Sequence, residues 1–382
     1  MDLHYKILSG ISIFLLICTS GCTFINVENQ QGSEKNITYE IPTPSPETPA
    51  TSPAIHLTDF GITGDGSDET TKLKTAFKYV QSHSIKTVIF PANKVIGINN
   101  YIETPENIEL VGNNCTIRLV DMSTINHEMG FFYIHTGCYA HDLIFDGNMW
   151  GQSYAGGLPG YPAATNGVMV YKNTRFENNE VKNVGAYSVF TYLSDNAVIH
   201  NNTIHDSWQY GVGTSGSGTK VFEKNVRITN NTIYDCAEVG IKIRGEDRAI
   251  VSGNTVTLPQ NRSKESGDPT YPIGIHLYSS DEPNKNVIIT GNTVFGSASS
   301  RWNQGIGSSD SGFGNVNISV TDNILVNVQN GIDIHYSNSV ITGNTVSYYE
   351  TGITNSGSGN TLSNNMLTPL ENNTILPQIQ TI

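Results

Sequence analysis

Little in this sequence can be cross-linked. Of its five cysteines, Cys18 and Cys22 fall in the first two dozen residues, which leaves Cys115, Cys138 and Cys236. An odd number without framework spacing excludes a disulfide scaffold, and the three read as small buried hydrophobes. No Cys/His spacing suits a structural zinc. Charge is scarce at 14%, and positive charge scarcer still, with 21 Lys and Arg against 34 Asp and Glu and a formal net charge of -13. That balance argues against nucleic acid and against an anionic membrane surface as partners. Gly is plentiful, at 37 residues, and Asn is abundant too. Both suit turns and stacked coils better than helices.

The one long apolar run, Ile7 to Ile17, is broken only by Ser9, Gly10 and Ser12 and follows Lys6. It ends in Thr19-Ser20-Gly21-Cys22, which makes residues 1–22 a signal peptide rather than a fold element. The small residues before Cys22 resemble a lipobox, although Thr19 stands where Leu is preferred. The expectation is a protein exported from the cytoplasm and held at the cell surface by a lipid on Cys22, with simple secretion as the alternative. Residues 23–53 carry Pro42, Pro44, Pro46, Pro49 and Pro53 among Thr and Ser. Such a stretch buries too little apolar surface to fold, so it reads as a stalk.

A four-residue phrase then recurs: Asn178-Asn179-Glu180-Val181, Asn201-Asn202-Thr203-Ile204, Asn230-Asn231-Thr232-Ile233, Gly253-Asn254-Thr255-Val256, Gly291-Asn292-Thr293-Val294, Asp322-Asn323-Ile324-Leu325, Gly343-Asn344-Thr345-Val346 and Asn364-Asn365-Met366-Leu367. The second residues are spaced by 23, 29, 23, 38, 31, 21 and 21. A minimal coil with occasional insertions is the mark of a β-solenoid. Asn and Gly tolerate the left-handed bend, and stacked Asn side chains can bond along the column. A second phrase, as in Gly240-Ile241-Lys242-Ile243 and Gly331-Ile332-Asp333-Ile334, alternates core and surface.

Upstream, Asp59 to Thr70 forms a glycine-aspartate loop (Gly61, Gly64, Asp65, Gly66, Asp68). An amphipathic stretch with Leu73, Ala76, Phe77 and Val80 follows, and then the strand Thr87-Val88-Ile89-Phe90-Pro91. This order resembles the N-terminal signature of the pectate-lyase superfamily. The resemblance, over about residues 55–370, implies an all-β, single-stranded right-handed parallel β-helix of about ten coils with an N-terminal capping helix, here placed at 54–375. It also implies a polysaccharide partner, while leaving the chemistry open, since one fold carries lyases, hydrolases, epimerases and inert adhesins.

With the coils in register, the outward positions of the second phrase form two columns. One runs Met169, Phe190, Gly213, Lys242, His276, Gly307, Asp333, Thr354, and the other Tyr171, Tyr192, Ser215, Arg244, Tyr278, Ser309, His335, Ser356. Polyuronate β-elimination needs a cation at the carboxylate, a base for the C5 proton and an acid for the leaving oxygen. Arg244 or Lys242, His276 and Tyr278 are the candidates for these catalytic roles. Tyr171, Tyr192, Asp333, His335 and Trp302 are the candidates for substrate binding. The alternative is a solvated face or a passive sugar-binding groove. Long segments, Leu258 to Tyr271, Ser297 to Asn303 and Ser215 to Phe222, enter or leave the same strands as groove walls would.

The phrase Leu143-Ile144-Phe145-Asp146-Gly147-Asn148 is similar to one in alginate C5-epimerases. Their Asp-Pro-His-Glu is replaced here by Phe190-Thr191-Tyr192-Leu193, with only Tyr187 matching the family's tyrosine. Asp310, Asp333, Glu246 and Asp247 are carboxylates a hydrolase could use, but the polygalacturonase set is absent. A polysaccharide lyase therefore leads, with a non-catalytic glycan-binding or envelope-structural β-helix second and a glycoside hydrolase third. The chain is expected to be a monomer. No cofactor is required, and a calcium site using Asp281-Glu282 near His276 stays open.

Overall fold

The computed structural model describes residues 53–125, 130–152, 165–215, 223–259, 272–279, 283–297, 303–308 and 314–371. The expected lipid-anchor position Cys22, the expected stalk up to residue 52, Asp281, Glu282, Trp302, Ser309, Asp310 and residues 372–375 of the expected domain lie outside them. Among the described residues, no helix is long and apolar enough to cross a membrane.

The chain winds through three parallel sheets, one strand of each per coil. Sheet A runs unbroken from Ala54–His56 through Arg175–Glu177, Val198–His200 and Arg227–Thr229 to Thr361–Ser363. Sheet B takes the strands after each repeated Asn, among them Glu180–Val184, Thr203–Ser207, Thr232–Cys236 and Thr255–Thr257. Sheet C is built from Gly130–Ile134, Asn166–Val170, Tyr187–Tyr192, Tyr210–Ser215, Val239–Ile243, Ile273–Leu277 and Gln304–Ser308, then from the ends of Ile324–Ile334 and Thr345–Asn355.

The repeated phrase makes the bend between A and B, and its two leading residues divide the work. The first takes the left-handed conformation: Asn178, Asn201, Asn230, Gly253, Gly291, Asp322, Gly343 and Asn364 all have φ between 52° and 70°, a region that side chains other than Asn and Asp resist. The second turns its carboxamide inward. Its oxygen accepts the backbone N–H of the equivalent Asn one coil back: Asn202 from Asn179 at 2.9 Å, Asn254 from Asn231 at 2.9 Å, Asn323 from Asn292 at 3.0 Å. Its amide donates to a carbonyl of the preceding coil, as Asn231 does to Ile199 at 3.0 Å and Asn254 to Ile228 at 2.8 Å. The carboxamides thus give partners to peptide N–H and C=O groups that the bend takes out of the strand ladders.

Alternation fills the space between the sheets. Ile204, Ile233, Val256, Val294 and Leu325 of sheet B face Val212, Ile241, Ile275, Ile306 and Ile332 of sheet C, all essentially solvent-free. Each such side chain contributes roughly 1.5–3 kcal/mol on burial. The glycines of the second phrase mark where B and C approach too closely for a side chain. A Cβ on Gly240 would meet Val256 at 2.4 Å, and one on Gly274 would meet Val294 at 2.5 Å.

Helix α1 (Thr70–Ser82) buries Leu73, Ala76, Phe77 and Val80 at the N-terminal end, where an open coil needs protection. The loop before it is tied by Glu69, which accepts from Thr63 N at 2.8 Å, Gly64 N at 3.0 Å and Lys72 Nζ at 3.0 Å. Burial opposes ionisation of this carboxyl, but those donors outweigh it and hold the pKa below its usual value. Cys115, Cys138 and Cys236 are buried.

Asn231→Ala should destabilise the fold by about 2–4 kcal/mol in a denaturant titration, because it strands the Asn202 N–H and the Ile199 carbonyl. Asn201→Gly, at the exposed left-handed position, should stay within about 0.5 kcal/mol. Equal losses would show that the inward ladder is not what holds the coils.

Candidate functional site

The outer face of sheet C carries the two columns, and the pairing puts them in register. Phe190 lies between Met169 and Gly213, Gly213 pairs with Lys242, Lys242 with His276 and His276 with Gly307. Asp333 then pairs with Thr354. Rungs are spaced by about 4.8 Å, so Lys242, Arg244, His276 and Tyr278 occupy one patch.

Lys242 is enclosed by rings. Its ammonium lies 4.4 Å from the centroid of Tyr210, 4.5 Å from Tyr278 and 5.8 Å from Tyr187, and it donates to the Tyr187 hydroxyl at 3.2 Å. Rings of this kind stabilise a partly desolvated cation. Gly213 is what admits the Tyr187 ring: a Cβ there would fall 2.2 Å from Tyr187 Cε1. Gly307 plays the same part on the far side, where a Cβ would meet the Gln304 amide at 2.3 Å. Two gaps in the column are therefore covered by side chains reaching across from their edge.

Burial dominates the electrostatics of the patch. It lowers the Lys242 pKa, with nearby Glu238 opposing and Arg244 assisting the shift. Burial also raises the Tyr187 phenol to about 12 and pushes Tyr210 higher still, the latter helped by Glu238. His276 is pushed down to about 4, first by burial and then by the charge of Lys242, so its imidazole is neutral around pH 7. Arg244 keeps its guanidinium 5.8 Å from the Tyr278 ring, and its buried Nε has no hydrogen-bond partner among the described residues. It is the donor on this floor best placed to receive an anion.

Further along, His335 Nε2 lies 3.2 Å from Asp333 Oδ1, making an acid–imidazole pair two rungs beyond His276. On the N-terminal side, Tyr171 and Tyr192 continue an aromatic series with Tyr101 and Tyr133, with centroid separations of 5.8–6.4 Å. The face is thus aromatic toward the N-terminus and charged toward the C-terminus. The carboxylates Glu246 and Asp247 do not join the patch: Glu246 is wholly buried in the interior. Among the described residues, no three His, Cys, Asp or Glu side chains gather as metal ligands. Sequence reasoning left Tyr210, Glu238 and Gln304 out of the site. For Tyr210 and Gln304 the signal was available three positions before the two glycine gaps, Gly213 and Gly307.

A family model described as "Right handed beta helix region" matches residues 165–346. The A-module of mannuronan C-5 epimerase AlgE6 from Azotobacter vinelandii, 16% identical, superposes with TM-score 0.51 over 83% of this chain and 100% of that one. The fold is a right-handed parallel β-helix. The Streptococcus pneumoniae surface adhesin PfbA resembles this β-helix too (16% identity, TM-score 0.58, 83% of this chain and 92% of that one). So does the endo-xylogalacturonan hydrolase of Aspergillus tubingensis (10%, 0.53, 83% and 93%). At these identities the likeness concerns the coil alone. Among curated proteins, none matches this sequence.

Gly213→Ala should expel the Tyr187 ring into water and bring its phenol from about 12 back toward 10, read by ring-labelled NMR across alkaline pH. An unmoved titration would mean that the glycine gap does not place the ring. His276 should stay neutral down to about pH 4, and Lys242→Met should raise that value by removing a like charge. Because its folded value lies below 6.5, His276 adds stability that is complete above that pH and lost as pH falls toward 4.

Proposed function

We propose that sheet C of this β-helix is a groove for a polysaccharide outside the cell, and that its middle rungs act on an acidic sugar by β-elimination. The observation carrying this is the Lys242 patch: a caged cation, an unpartnered arginine N–H, a neutral imidazole and high-pKa phenols on adjacent rungs. The named substrates of structural neighbours add support for a polysaccharide and do not discriminate the reaction, since an epimerase, a hydrolase and an adhesin share the coil.

In this reading Arg244 neutralises the uronate carboxylate, which makes the C5 proton acidic. Neutral His276 accepts that proton. The electron pair forms the C4–C5 double bond as the C4–O bond breaks. A phenol, Tyr187 or Tyr278, then protonates the leaving oxygen. Tyr187 suits the acid role, because Lys242 donates to its oxygen at 3.2 Å and leaves the phenolic proton to point elsewhere. The aromatic half of the groove, with Tyr171 and Tyr192, offers stacking surfaces for the adjoining sugars.

The competing reading is a groove that binds without cleaving, and it is favoured by Phe190-Thr191-Tyr192-Leu193 standing where the epimerases carry their reaction centre. The lipid anchor at Cys22 and a monomeric state remain part of the proposal, and calcium enters it as one arm of the assay.

The test is ultraviolet absorbance of unsaturated uronate on pectate, alginate and other acidic glycans, with and without calcium. The wild type should give a rising signal, and Arg244→Ala and His276→Ala should each lower it by about 100-fold or more. Glycan binding without any signal would replace elimination by the binding reading.

A further inference from the structure

Inside the coil, beneath Arg244, a second polar ladder runs along the turn between sheets C and A. Asn284 accepts from Glu246 N at 3.1 Å, and Asn315 from Asn284 N at 2.7 Å. Their amides donate back to the Ile243 and Leu277 carbonyls at 3.2 and 3.4 Å. The two preceding rungs are filled not by Asn but by Glu223 and Glu246, which are partnered in the ladder and 3% and 0% exposed. A carboxylate can accept but cannot donate. Ser194 Oγ reaches Glu223 Oε2 at 2.6 Å and Thr191 Oγ1 reaches it at 3.4 Å, while among the described residues the other three oxygens of the pair have no partner in good hydrogen-bond geometry, only Thr214 and each other close by. Among the described residues, no Lys or Arg forms an ion pair with either. Asp195 adds negative charge nearby, the Thr214 hydroxyl lies against Glu246, and Lys224 and Asp247 are the neighbours in sequence along the same two strands.

We propose that Glu223 and Glu246 share a proton in the folded protein, one carboxyl donating to the other as an asparagine amide does to the next asparagine at the A–B bend, and that this pair positions Arg244 on the groove floor. Two ionised carboxyls on adjacent rungs in a dry interior repel strongly. One retained proton supplies the missing donor and removes the repulsion. Burial raises the pKa of both groups, and Glu223 further raises that of Glu246. The link to the groove is Thr214, whose hydroxyl accepts from Arg244 N at 2.9 Å and donates to Arg244 O at 3.3 Å while lying against Glu246. Only the role of Arg244 rests on the polysaccharide reading; the shared proton does not.

The sign of the effect follows from the raised values. The folded state holds a proton that the unfolded chain has released above the usual glutamate value of 4.5, so this contribution to stability falls as pH rises from there through the folded values. His276 titrates with the opposite sign and is common to all variants compared.

The experiment has three arms on the full chain. Infrared difference spectra of the wild type at neutral pH should show the carbonyl stretch of a protonated carboxyl, absent from Glu246→Gln. Denaturant titrations between about pH 5 and about pH 8 should show a wild-type loss of stability that Glu246→Gln or Glu223→Gln reduces by half or more. Glycan binding that depends on Arg244 should weaken at alkaline pH in the wild type and less so in Glu246→Gln. No protonated-carboxyl band together with an unchanged pH slope overturns the proposal. A stoichiometric metal ion found by elemental analysis overturns it in favour of a cation site. If no glycan binds while the first two arms hold, the shared proton stands and the groove assignment falls.

Discussion

The interaction on which the rest of this molecule depends is the inward carboxamide that bonds the backbone on both sides of it. A parallel coil must turn a corner three times per turn, and each corner takes peptide groups out of the strand ladders and away from water. A buried unpaired peptide group costs about 1–3 kcal/mol, a heavy penalty when repeated at every coil. Asn is the side chain that carries a peptide's own donor and acceptor at the right reach. With Asn202, Asn231, Asn254, Asn292 and Asn323 in line, the corner becomes a continuous hydrogen-bonded column. The register of the sheets follows from it.

That column was legible in the sequence because one residue type recurs at a position defined by a short phrase. The outer columns followed from it, since alternation counted from the phrase puts Lys242 and His276 side by side. The helical period marked Leu73, Ala76, Phe77 and Val80 as a buried stripe. Side-chain direction across coils was less legible. Tyr187 leans over Gly213, which is 26 residues later in the chain but one rung away. Nothing in the local sequence says which way a tyrosine leans. The interior position of Glu246 escaped for a different reason. A glutamate in a polar stretch reads as surface, and its ladder position shows only when the coil is closed and Asn284 lies above it.

The electrostatics differ in scale. Over the whole chain the net charge is -13, yet the middle of sheet C holds Lys242 and Arg244 with the nearest aromatic faces turned toward them. At an ionic strength near 0.1 M a charge is felt over about 10 Å, or about two rungs. The local cations therefore set the potential on this face, while the global acidity governs how the protein meets other molecules. A solenoid permits this separation, because residues far apart along its axis hardly interact.

The fixed pitch has one more consequence. Segments of 21 to 38 residues separate successive anchors, yet every coil advances by the same spacing, about 4.8 Å. Sheet C is thus a ruler with evenly spaced marks, whatever length of chain is looped out between them. A polymer whose own repeat differs from that mark drifts out of step as it runs along the face, like one scale of a vernier against the other. Coincidence between the units of such a polymer and the side chains would then be confined to a short stretch, which lets a long, uniform scaffold present a single place where the two match.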